Sequence, residues 1–122
     1  MNVLIFADSY VPYVSGVVES ILVTRKELLE LGHQVAVVAP RYPGWTRDEP
    51  GIYRLPAVPA PTNPEFSVAI PVAPALHRKV AGVRPDIVHV HSPFVLGRLG
   101  ARFAKQYGIP LVFTYHTRYD QY

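Results

Sequence analysis

The residues of this chain equipped to do chemistry sit in a few short stretches. In DSYVPYVSGVVES, residues 8–20, a continuous apolar run stops and a turn around Ser15 and Gly16 leads into a helical pattern with little side chain at its start. A bare helix start presents unpaired N–H groups, and a glycine there lets an anionic group come close to the backbone. Ser15, Gly16 and Val17 are therefore a candidate anion seat, with a plain Ser15-capped helix as the other reading of the same residues. His89 and His91 alternate in IVHVH and so share one face of a strand, which raises a metal pair. No third ligand of matching spacing accompanies them; a hydrogen-bonded core role suits His89, while His91 ends the run beside Ser92 and Pro93. In TYHT, His116 and Thr117 follow an apolar run directly, where a neutral imidazole can bond a hydroxyl without bringing a charge. A histidine bonded to a neighbouring backbone carbonyl is the alternative there.

The elements that must position these groups follow from hydrophobic pattern. VLIFA (3–7) and QVAVVA (34–39) are strand-length apolar runs suited to a sheet covered on both faces. Between them Val17, Ile21, Leu28 and Leu31, with Val18, Leu22 and Leu29 beside them, recur at helical spacing up to Gly32, a glycine in C-cap position. Strand, crossover helix and parallel strand make a unit that is right-handed. Prolines then crowd residues 40–74, and only IYRL (52–55) resembles a short strand; the spacing predicts a long, ordered, irregular excursion packed through Tyr42, Trp45, Tyr53 and Phe66. Regular pattern returns as a helix over 75–83, a strand over 87–91, a helix over 96–107 closed by Gly108, and a strand over 111–115. The alternation predicts an α/β fold: a Rossmann-like, doubly wound, mainly parallel sheet with helices on both faces, whose ligands bind beyond the carboxyl ends of the strands. The usual strand order brings Gly16, the 91–93 turn and His116 together.

Bulk properties narrow the function. At 122 residues and 13.6 kDa, with 49% apolar and 17% charged residues, the chain is one compact domain or a piece of something larger. A net charge of +3 does not imply a nucleic-acid partner. The absence of cysteine excludes disulfides, thiolate metal sites and thiol redox chemistry. The opening MNVLIFADSY has neither a basic n-region nor an apolar run of membrane-spanning length, so a cytoplasmic protein not integral to a membrane is expected. Neither G-x-G-x-x-G nor a Walker A loop is present, and the second strand lacks a closing acid, which argues against an ordinary NAD-dependent dehydrogenase.

Four stretches, FADSYVPYVSGVVESI, LLELGHQVAVVAP, RPDIVHVHSPFVLGRLGARFAKQYGIPLVF and TYHTRYDQY, resemble, in that order, the N-terminal domain of retaining GT-B glycosyltransferases of the group-1, or family 4, type. V-S-G-V early and Y-H-T-x-Y late most resemble the branch that glycosylates lipids such as diacylglycerol, with phosphatidylinositol mannosyltransferases as near relatives. The resemblance implies that Gly16 lies against the donor diphosphate and that His116, the catalytic candidate, contacts a hydroxyl of the transferred sugar. Ser15, Val17, His91, Ser92 and Thr117 are the accompanying substrate-binding candidates. Many members have two adjacent glycines where this chain has Ser15-Gly16. The family's proposed mechanism has the acceptor attack the face from which the nucleoside diphosphate leaves, a leaving-group oxygen helping to take the proton, so neither Asp8 nor Asp120 is required as a nucleophile. The nucleotide-sugar is a substrate, and the resemblance implies no cofactor and no metal for this domain.

The family's nucleotide pocket, its phosphate-binding Arg and Lys and its E-x7-E motif belong to a second, C-terminal domain, absent from residues 1–122. The chain then corresponds to the acceptor-side half, expected to be inactive in isolation. Within the 40–74 excursion, TNPEFSVAIP (62–71) is expected to border the acceptor cleft, with Asn63, Phe66 and Ser67 mixing polar and apolar contacts suited to a glycolipid headgroup. Arg78, Lys79, Arg84, Arg98, Arg102 and Lys105 stand against a single acid, Asp86. On one face they would attract anionic headgroups as a peripheral membrane contact; two solvated helix faces are the other reading. The rival function is a non-catalytic Rossmann-like or flavodoxin-like module binding a small anion. A sugar-nucleotide epimerase ranks last, because no further acid/base carboxylates are identifiable.

Overall fold

The computed structural model describes residues 1–48, 50–60, 63–69, 74–91 and 94–114. Among them the elements run β1 (Asn2–Phe6), α1 (Gly16–Glu30), β2 (Gln34–Pro40), β3 (Ile52–Leu55), β4 (Ala57–Ala60), β5 (Asn63–Ala69), α2 (Pro74–Gly82), β6 (Ile87–Val90), α3 (Val95–Tyr107) and β7 (Leu111–Phe113). Five strands form one parallel sheet in the order β3-β2-β1-β6-β7, with Val3 level with Val35 on one side and Ile87 on the other. β1 is central, with β6 beside it and β7 beyond β6.

The apolar runs are continuous because alternate residues feed two cores. Leu4, Phe6, Ala36, Val38, Val88 and Val90 face Val80 of α2 and Leu96, Phe103 and Ala104 of α3. Val3, Ile5, Ala7, Val35, Val37 and Ala39 cluster with Ile21 of α1. The sheet is thus covered on both faces, a Rossmann-like α/β fold. Two helices stop by the same backbone device. After α1, the N–H groups of Gly32 and His33 donate to the carbonyls of Leu29 and Leu28, both at 3.0 Å, with Gly32 at φ 90°. After α3, Gly108 at φ 65° lets Ile109 donate to Ala104 at 2.8 Å. Such reversals need the left-handed region, which glycine enters without steric cost.

One expectation is corrected in part. IYRL is a strand as expected, β3, and joins the main sheet parallel to β2; beyond it, where none was expected, β4 and β5 pair antiparallel as a separate hairpin. Proline removes a ladder donor, but a two-stranded ribbon consists only of edges, where that loss is tolerated. Pro59 pairs opposite Ser67, next to a register shift at Pro59/Ala60. Two further departures come from reach. Leu29 in the last turn of α1 and Leu31 at its C-cap, both on the expected apolar stripe, are exposed. Leu111, Val112 and Phe113 are 45%, 40% and 44% exposed, because β7 is the last described strand on its side and α3 packs on β1 and β6.

α3 approaches the sheet through Gly100. A Cβ there would lie 2.8 Å from the Phe6 ring and 2.9 Å from a Val90 methyl, whereas at Gly16 it would meet nothing within 4 Å. Gly100→Ala is therefore expected to lower the unfolding free energy by about 1–3 kcal/mol through overpacking. Gly16→Ala should leave it unchanged or raise it by up to about 1 kcal/mol. Urea unfolding of both variants checks the contrast.

Candidate functional site

The tips of β1, β6 and β7 lie side by side at the carboxyl edge of the sheet, and the starts of α1 and α3 approach the same edge. The two helix starts differ. The N-cap residue of α3, Phe94, makes no capping bond with its side chain. Asp8, just past β1, supplies one from 88 residues away: its carboxylate oxygens accept from the N–H groups of Leu96 at 2.7 Å and Gly97 at 3.2 Å. A carboxylate satisfies those donors and suits the positive end of the helix dipole.

At α1 the cap is neutral and local. Ser15 is extended, φ −162° and ψ 167°, and its hydroxyl accepts from the N–H of Val18 at 3.2 Å, while its carbonyl accepts from Glu19 at 3.0 Å. The N–H groups of Gly16 and Val17 have no acceptor among the described residues. Gly16 is exposed and open on its side-chain side. Ser15 is thus a helix cap, and the approachable backbone belongs to Gly16 and Val17.

The loop between β1 and α1 is held by a residue the sequence pattern does not single out. Arg54 of β3, its side chain 9% exposed, donates from Nη2 to the Val11 carbonyl and from Nη1 to the Pro40 carbonyl, each at 2.8 Å. Its Nε and Nη2 also donate to the Asp48 carboxylate, at 2.9 and 2.6 Å. The guanidinium lies 5.4 Å from the Tyr10 ring centroid and 5.8 Å from that of Tyr42. The Tyr42 hydroxyl accepts from the Tyr10 N–H at 3.3 Å, and burial pushes the Tyr42 phenol above its ordinary pKa. The hydrogen bonds from Arg54 hold the Asp48 carboxyl below the usual carboxylate value against the opposing effect of burial, with a lesser contribution from the Trp45 indole. Behind the loop, Tyr10, Val11, Leu22, Arg25, Trp45, Arg47, Asp48 and Ile52 line a cavity of about 180 Å³.

His89 and His91 share a face as their alternation requires, with ring centroids 4.1 Å apart. His89 bonds the Thr114 hydroxyl at the tip of β7. His91, at the tip of β6, is 1% exposed. Among the described residues no three histidine or acidic side chains gather as a metal site would require. Ser92, His116 and Thr117 lie outside the described residues; Asn63, Phe66 and Ser67 lie on β5, whose backbone runs close to β2 and α3. Asp8 and Arg54 carry no signal in sequence, since neither belongs to a motif with its partners. The six basic residues between 78 and 105 are all exposed, and Arg98, Arg102 and Lys105 line the side of α3 away from Leu96, Gly100 and Phe103. The Asp86 carboxylate accepts from the Asn2 N–H at 2.6 Å.

Residues 14–122 match Glycosyltransferase Family 4. Alpha-monoglucosyldiacylglycerol synthase of Acholeplasma laidlawii is 35% identical over 126 residues, covering 100% of this chain and 31% of that protein. GDP-mannose-dependent alpha-mannosyltransferase of Corynebacterium glutamicum is 35% identical over 123 residues, covering 96% and 29%. Alpha-monoglucosyldiacylglycerol synthase of Streptococcus pneumoniae is 33% identical over 135 residues, covering 100% and 28%. The chain spans under a third of the length of each of these relatives.

The Asp48–Arg54 pair makes a signed prediction. A carboxyl held below its unfolded value of 3.8 adds stability that is complete above that pH and is lost as pH falls through the lower folded value. Asp48→Asn should therefore be less stable than the parent at neutral pH, with the gap closing below about pH 4. Thermal unfolding from pH 7 to pH 2.5 measures it.

Proposed function

Because the chain belongs to Glycosyltransferase Family 4, we propose that it forms the acceptor-side half of a retaining glycosyltransferase, which moves a sugar from a nucleotide-sugar to a hydroxyl acceptor. The observation that carries this reading is the start of α1, where the Gly16 and Val17 N–H groups have no acceptor among the described residues and Gly16 is open on its side-chain side, while the start of α3 is already occupied by Asp8. In the reaction those amides hold the donor diphosphate and stabilise the charge that grows on it as the glycosidic bond breaks. His116 bonds a hydroxyl of the transferred sugar. The acceptor attacks from the leaving-group side, and a diphosphate oxygen takes its proton, so the domain's part is positioning. Asp8 is no nucleophile on this reading: both its oxygens already accept amide hydrogens. The nucleotide pocket belongs to a C-terminal domain, and residues 1–122 alone do not turn over.

The acceptor is a membrane lipid of the diacylglycerol or phosphatidylinositol kind. Two relatives are named alpha-monoglucosyldiacylglycerol synthase, which supports this. The outward basic stripe of α3 supports peripheral contact with anionic headgroups. No helix among the described residues is long and apolar enough to cross a membrane. Asn63, Phe66 and Ser67 border the acceptor, and Ser92 and Thr117 are further substrate-binding residues, whereas His91 is buried at the tip of β6.

Gly16→Leu tests the donor seat, because the side chain would occupy the space the diphosphate needs. In the full-length protein, assayed with nucleotide-sugars and lipid acceptors, it should lower kcat/KM by about a hundredfold or more with the fold intact. Unchanged transfer would remove Gly16 from the site, and binding of a small anion without any transfer would favour the non-catalytic module. Replacing Arg98, Arg102 and Lys105 with alanine should weaken binding to anionic vesicles by about 1 kcal/mol per charge, read by sedimentation.

A further inference from the structure

The loop of residues 7–15 carries the chain from β1 to the Ser15–Gly16 helix start. Its first residues are held at the sheet edge, where the Ala7 N–H donates to the Val38 carbonyl at 2.9 Å and Asp8 caps α3. Further on, the Tyr13 N–H closes a turn on the Tyr10 carbonyl at 2.9 Å, and the Tyr10 N–H reaches the Tyr42 hydroxyl. In the middle of the loop, the Val11 carbonyl is tied by Arg54, 43 residues away. The same guanidinium grips the Pro40 carbonyl at the tip of β2. Loop and sheet edge are thereby referred to one rigid planar group.

We infer that Arg54 is a positioning residue for the helix start: it holds the Val11 carbonyl against the tip of β2, and so fixes where the Gly16 and Val17 N–H groups stand over the sheet. Chemistry suits arginine and excludes its usual substitute. Only a fork of N–H donors in one plane can serve two carbonyls and a carboxylate at once, and a lysine ammonium on a flexible stem cannot hold that geometry. The Tyr10 and Tyr42 rings set the orientation of the group, and Asp48 balances its charge, so that a 9% exposed cation remains in place. Arg54 itself touches no ligand; it acts through the loop. Its bearing on transfer rests on the function proposed above, whereas its hold on the loop does not.

The experiment compares Arg54→Ala, Arg54→Lys and Gly100→Ala in the full-length protein, at a temperature where each is folded. Amide hydrogen exchange and transfer kinetics are the readouts, and Gly100→Ala serves as a destabilised control whose lesion lies in the α3 core. In Arg54→Ala, exchange should accelerate at residues 10–17 and not in β1, kcat/KM should fall by about tenfold or more, and added guanidinium should restore part of it. Arg54→Lys should show the same pattern in milder form and provides the test if the alanine variant does not fold. Gly100→Ala should keep full transfer per folded molecule. Unchanged loop exchange in the Arg54 variants, or a loss of transfer in Gly100→Ala equal to theirs, would overturn the inference. If the parent protein transfers no sugar while exchange behaves as expected, the functional reading fails and the positioning role stands.

Discussion

The carboxylate of Asp8, bound to the first amides of α3, is the interaction on which the rest of this surface depends. It ties the tip of the central strand to the helix that packs over β1 and β6, and it settles the electrostatics at the carboxyl edge of the sheet. Two helices begin there, and each brings the partial positive charge of its unpaired N–H groups. At α3 that charge is met by a side chain of the protein itself. At α1 the serine cap satisfies later amides and leaves the first two without an acceptor among the described residues. On the function proposed here, the asymmetry converts two equivalent-looking helix starts into one structural joint and one place for an external anion.

Such a place is useful only if it stays where it is, since displacements of an ångström at a reacting group are costly in rate. Of two separate anchors in the fold, the one on the α1 side serves that end. On the α3 side, Gly100 allows Phe6 and Val90 to pack directly on helix backbone, which leaves α3 little freedom to slide. On the α1 side, Arg54 gathers the first loop, the tip of β2 and the 42–50 segment around one cation. Both anchors are short-range and geometric, and neither requires a large buried area.

The frame was legible in sequence because it rests on local rules: apolar runs of strand length, helical spacing, and glycines at 32 and 108 where the chain must turn left-handed. The hairpin of β4 and β5 was hidden because its prolines argue against strand, and they are acceptable because no third strand among the described residues pairs with it. Arg54 and Asp8 were hidden for a different reason. Their partners lie 6, 14, 43 and 88 residues away and are mostly backbone atoms, which carry no sequence signature. The alternation of His89 and His91 did foretell their shared face, but not that His91 would be the more deeply buried of the two. Gly16 was legible as an approachable position because glycine at a helix start has few other purposes.

The most direct test of the asymmetry between the two helix starts is a titration of 15N-labelled protein with inorganic pyrophosphate, followed amide by amide. The account predicts that the largest shifts fall on Gly16 and Val17, while Leu96 and Gly97, already bonded to Asp8, hold their positions. Shifts centred on Leu96 and Gly97, or spread evenly over the basic surface of α3 with none at Gly16, would contradict it.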